Sequence, residues 1–172
     1  KARSTTAVGA CGEHDFSFYN NTIVNCGEFQ FRNIYNAYIA NNIIVPENGA
    51  TFAYDIEPKR GNVFENNCYY NALNPLVDFG ALNTNPGFAG TDYSDPASFM
   101  LSADSPLIGA GVTIPGSDVD FYGNTIDSVN IGCYGSTGTD SEYEPEGLFE
   151  KIIRTVRNFF ETIIHEIIAI FD

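Results

Sequence analysis

Tryptophan is absent, methionine occurs once, and Lys and Arg together number 8 against 22 Asp and Glu in 172 residues. The resulting formal charge of −14 repels nucleic acid and anionic membrane, so neither is expected as a partner. No apolar run is long enough for a membrane span, and no signal-peptide pattern follows Lys1. The charge suits an extracellular or cell-surface protein; its signal would already be gone, or Lys1 follows a cut in a longer chain. EF-hand spacing is missing. The 4 cysteines, Cys11, Cys26, Cys68 and Cys133, contain no CxxC pair, which argues against zinc and thioredoxin-like chemistry. Two disulfides outside the cell stay open, with no pairing fixed by spacing.

What the chain has instead is a recurring pair of asparagines: Asn20-Asn21, Asn41-Asn42 and Asn66-Asn67, at steps of 21 and 25 residues. Aligning the pairs places Phe18, Ile39 and Phe64 in one column. Ile23, Ile44 and Tyr69 fall in a second, and Thr22, Ile43 and Cys68 in a third. A period of this length is that of one coil of a parallel β-solenoid, whose coils bury their apolar sides only by stacking. Asn tolerates the backbone of a tight bend, and stacked amides can donate to one neighbour and accept from the other. Asn21, Asn42 and Asn67 are therefore read as a structural ladder. Further strands are expected near Phe29–Phe31 and Thr51–Tyr54.

From residue 75 the text changes to NTNPGF, then SPLIGAG, then DVDFYGN and IGCYG. In that order, over Asn83–Gly135, it resembles the closing segment of bacterial right-handed parallel β-helix proteins of the pectate-lyase-like superfamily. The resemblance implies an all-β, right-handed parallel β-helix of few coils. It also implies carbohydrate as the substrate class, since members include lyases of uronic-acid polymers. Such a lyase needs a base, commonly Lys or Arg, beside a group that neutralises the uronate carboxylate, often calcium on acidic residues.

The residues offer two places for that chemistry. Lys59-Arg60 is the one adjacent basic pair of the repeat region, with Tyr54, Asp55 and Glu57 nearby and Arg32 25 residues before Glu57. This cluster is a candidate polysaccharide-binding site, with Tyr54, Tyr38 or Tyr35 as stacking rings; a solvated loop with a salt bridge is the plainer reading. Asp118 and Asp120 are candidate calcium ligands, or else turn residues that satisfy free backbone donors. Glu13-His14-Asp15 reads as a surface turn. No catalytic residue is assigned.

An acidic linker, 136–147, is expected to lead into an amphipathic helix at 148–172. Phe149, Ile153, Val156, Phe160, Ile163, Ile167 and Ile170 recur at alternating four and three residues, a heptad seam. That face calls for a cover: the β-helix of residues 1–135, or other copies of the chain. The expected function is an extracellular carbohydrate-directed module that binds or scaffolds more than it cuts. The alternative is a surface protein that assembles through its open first coil and its helix.

Overall fold

The computed structural model describes residues 6–11, 14–47, 52–55, 60–72, 78–126 and 128–135. Nine short strands lie before residue 70: β1 (Thr6–Cys11), β2 (Ser17–Tyr19), β3 (Thr22–Cys26), β4 (Glu28–Arg32), β5 (Tyr38–Ala40), β6 (Ile43–Pro46), β7 (Phe52–Asp55), β8 (Val63–Glu65) and β9 (Cys68–Tyr69). They are short because the backbone turns through the left-handed region every few residues. Asn20, Asn41 and Asn66, at φ 55°, 54° and 52°, separate β2 from β3, β5 from β6 and β8 from β9. Asn is among the few side chains that adopt this conformation readily. Asp15, Asn36 and Gly61 repeat the bend ahead of β2, β5 and β8. At Gly61 a Cβ would collide with Asn36 Oδ1, which accounts for glycine there.

The strands form three three-stranded parallel sheets, β1-β4-β7, β2-β5-β8 and β3-β6-β9. Phe18 pairs with Ile39 and Ile39 with Phe64; Ile23 pairs with Ile44 and Ile44 with Tyr69. Phe31, Ile34, Ala37, Ile39, Ile44 and Tyr69 make one buried cluster. Successive strand residues point to opposite faces. Ile43 and Cys68 accordingly turn away from that cluster and pack with Leu101, Leu107 and Ile131 from the second half of the chain. Full burial of each Ile or Leu contributes about 2–3 kcal/mol. The β3-β6-β9 sheet is thus apolar on both faces.

The second asparagine of each pair points inward. Asn21 Nδ2 donates to Asn42 Oδ1 at 3.0 Å, Asn42 Nδ2 to Asn67 Oδ1 at 2.7 Å, and Asn67 Nδ2 to Asp78 Oδ2 at 2.5 Å. Each amide also serves the main chain, as when Asn42 Oδ1 accepts from Asn21 N at 3.0 Å and Asn42 Nδ2 donates to Phe18 O at 2.9 Å. Asp78 ends the series. Burial pushes its carboxyl above the usual carboxylate range, against the bonds from Asn67 and Tyr69 that favour the ionised form.

Beyond β9 no further strand occurs among the described residues. Phe79 and Leu82 add single parallel bridges to Glu65 and Cys68, and turns follow. Pro86, Pro96, Pro106 and Pro115 have no N–H to give to a ladder. Main-chain turn bonds and single side chains hold this half instead. The Ser105 hydroxyl donates to Pro86 O at 2.5 Å and accepts from Leu107 N at 3.2 Å. Asn130 Oδ1 accepts from Gly109 N at 2.9 Å, while its Nδ2 donates to the carbonyls of Tyr134 and Gly135. Gly132, at φ 109°, lets the chain lie against the sheet, since a Cβ there would come within 2.6 Å of Ile43 Cδ1.

These observations correct the expectation of a right-handed parallel β-helix followed by an amphipathic α-helix. Among the described residues the strands form separate three-stranded parallel sheets, no solenoid is shown, and no α-helix occurs; the 3-10 turn Pro96–Phe99 is the nearest thing to one. The physical reason lies in the proline- and glycine-rich half, which cannot extend the ladders and folds as side-chain-anchored turns. The expected helix with Phe149, Ile153, Val156, Phe160, Ile163, Ile167 and Ile170, and the linker before it, lie outside the described residues.

Candidate functional site

The Arg60 neighbourhood comes first, because the sequence pointed there. Lys59 and Glu57 lie outside the described residues. Arg32 and Asp55 are partners in register across β4 and β7, and Arg32 is exposed. Tyr54 pairs with Phe31 in the same sheet. Arg60 instead covers Tyr35, its guanidinium carbon 4.7 Å from the ring centre. His14 stacks on Tyr35 with centroids 4.5 Å apart and planes within 4°. His14 and Arg60 come from the passes on either side of Tyr35, so both faces of that ring are occupied and neither is open to a sugar. Tyr38 is also committed: its hydroxyl donates to Glu65 Oε1, and burial, with that carboxylate, pushes its pKa up to about 12.

A second place is built by the return of the chain onto the asparagine bends. The first asparagine of each pair points its amide outward and grips the returning segment. Asn41 Nδ2 donates to Val112 O at 2.7 Å while Val112 N donates to Asn41 Oδ1 at 2.8 Å. Asn66 Nδ2 donates to Ala110 O and Asn20 Nδ2 to Ser117 Oγ, each at 2.8 Å. Gly132 N donates to Asn41 O at 2.8 Å, and Cys133 N to Thr22 Oγ1 at 3.2 Å. The Tyr134 hydroxyl donates to Pro96 O at 2.6 Å and fastens the turn that carries Tyr93.

Between these segments lies a cleft of about 840 Å³. It is lined by Tyr19 to Thr22 and Asn41 from the bends, and by residues of the returning segments that include Tyr93, Phe99, Val112, Asp118, Phe121 and Tyr134. Two of its rings are unusually open to solvent, Tyr93 at 47% and Phe121 at 61%. Each is propped by a buried or half-buried aromatic: Tyr93 stacks on Phe99 at 5.3 Å, and Phe121 meets Tyr134 edge-on at 5.9 Å. Rings held from behind and bare in front present flat apolar faces at little entropic cost. Asn, Thr and Ser groups border them.

Asp118 and Asp120 both line this cleft but differ in state. Asp120 is buried, and its carboxylate accepts from Tyr122 N at 2.9 Å, Asn124 N at 2.9 Å, Asn124 Nδ2 at 3.3 Å and Gly135 N at 3.4 Å. It is the anchor of a turn, and a calcium ion there would have to displace those donors. Among the described residues no three His, Cys, Asp or Glu side chains converge on a metal position. Asp118 is exposed, and no described donor holds its carboxylate. Burial raises the Cys133 thiol above its ordinary pKa, which keeps it protonated and poorly nucleophilic at neutral pH. No described lining residue is Lys, Arg or His.

Sequence reasoning missed Tyr93 and Phe121. The available signal was their setting: each is an aromatic inside a polar turn (TDYS and DVDFYGN) with no periodic apolar neighbours to bury it. No protein-family model matches the chain, and no curated protein matches its sequence. No helix among the described residues is long and apolar enough to cross a membrane.

Proposed function

We propose that the chain is a carbohydrate-binding module, secreted or displayed at the cell surface, whose ligand lies in the cleft between Tyr93 and Phe121. The observation that carries this reading is the pair of exposed, back-supported rings flanking one cleft whose lining is mainly apolar with polar groups among it. Ring faces take the C–H surface of a pyranose, and the exposed lining residues Thr113 and Thr125 offer hydroxyls to meet its own. The cleft volume falls in the range of small-ligand sites. Binding is favoured over cleavage by the commitment of Asp120 to its turn, by the protonated state of Cys133, and by the lack of a basic side chain among the described lining residues.

Titration calorimetry against a panel of oligosaccharides tests it. Tyr93→Ala and Phe121→Ala are each expected to weaken binding about tenfold. Unfolding free energy should change by about 0.5 kcal/mol or less, because both rings are largely exposed, Tyr93 at 47% and Phe121 at 61%. A panel with no binder, or two variants that bind as tightly as the parent, would refute the reading.

A further inference from the structure

The charge of the cleft selects among sugars. We propose that it takes a glycan bearing free amines, a hexosamine oligomer, with Asp118 as the residue that meets the ammonium group, and that it rejects uronates. This rests on the carbohydrate reading above and adds the class of sugar.

Three observations carry it. Among the described lining residues there is no Lys, Arg or His, so an acidic sugar entering the cleft would lose water and gain no counter-charge. The two carboxylates of the lining are not equivalent. Asp120 is buried and its oxygens already accept from main-chain and side-chain donors, whereas Asp118 is exposed on the cleft wall with its carboxylate held by no described donor. The chain as a whole carries −14, a field that draws cations toward the cleft and slows the approach of anions. The sugar class implied by the sequence resemblance, uronic-acid polymers, has the charge that this cleft accommodates least.

The test uses the full chain and three tetrasaccharides of similar size: glucosamine, N-acetylglucosamine and galacturonate oligomers. Calorimetry is run at mildly acidic pH, where the sugar amines are protonated. The glucosamine oligomer should bind about fivefold tighter than its N-acetylated counterpart, the scale of one partly exposed ion pair. Raising salt should narrow the gap. Galacturonate should show no measurable binding. Asp118→Asn should bring the glucosamine to N-acetylglucosamine ratio to about one, with the thermal transition of the variant confirming that it folds. Galacturonate binding as tight as the amino sugar, or a ratio unchanged by Asp118→Asn, would overturn the proposal while leaving carbohydrate binding intact. Failure of all three oligomers while another member of the oligosaccharide panel binds would overturn this inference alone, and failure across the panel would remove the carbohydrate reading with it.

Discussion

Among the described residues, main-chain bonds between 14 and 70 run mainly from strand to parallel strand, whereas between 78 and 135 they close turns and single bridges, with individual side chains such as Asn130 and Asp120 taking further N–H groups. The first arrangement repeats, so each asparagine has a counterpart one pass away doing the same work. The second does not repeat: Ser105, Asp120 and Asn130 each hold one turn. Repetition spreads load through an array, and singular anchors concentrate it. The cleft lies where the two arrangements meet, with outward asparagines of the first gripping the main chain of the second.

The sharpest way to break this contrast is Asn42→Ala. It strips a fully buried amide that joins Asn21, Asn67 and the Phe18 carbonyl. A loss of about 3 kcal/mol is expected from denaturant unfolding, since several polar groups lose partners at once. Hydrogen exchange should rise across β2, β3 and their partners together rather than at one site. Asp120→Ala comes next, at about 2 kcal/mol. Its effect should stay local: faster exchange at Tyr122, Asn124 and Gly135, a looser Phe121, and weakened glycan binding. Equal spreading of both effects would erase the distinction between array and anchor.

The smallest expected effect concerns Asp78, the residue shared by both regions. Burial holds its carboxyl above the value of an unfolded Asp, so the folded chain keeps that proton to higher pH. Its contribution is therefore fully present below the unfolded pKa and lost as pH rises through the folded one. Comparing unfolding curves of the parent and Asp78→Asn across acidic pH isolates this term from other carboxylates. The parent should lose ground relative to the variant as pH rises through that window, and a flat difference would show that Asp78 does not titrate as described.

The register of Asn21, Asn42 and Asn67 is legible in the sequence because a repeated main-chain environment asks for the same residue at each pass. Their neighbours Phe18, Ile39 and Phe64 keep step for the same reason. How the strands group is less legible: local spacing says nothing of where one sheet stops, and the proline-rich half, read as a closing segment, adds no strand among its described residues. The cleft is least legible. Tyr93 and Phe121 lie 28 residues apart and are brought to one cleft by contacts such as Tyr134 to Pro96 and Asn41 to Val112, spanning 38 and 71 residues, which no short pattern encodes. Of the rings named with the Arg60 cluster, Tyr35 lies against His14 and Arg60, a stacking across parallel passes that neighbours in sequence do not reveal.

The amide series is a one-way relay: each NH₂ hands its hydrogen toward higher residue numbers, and the last receiver, a carboxylate, has none to hand on. A duplicated unit could be spliced between the Asn42 and Asn67 passes and find both a giver and a taker. One grafted after Asp78 would find no giver. Asp78 is in that sense a full stop, and a longer version of this array would grow from its interior.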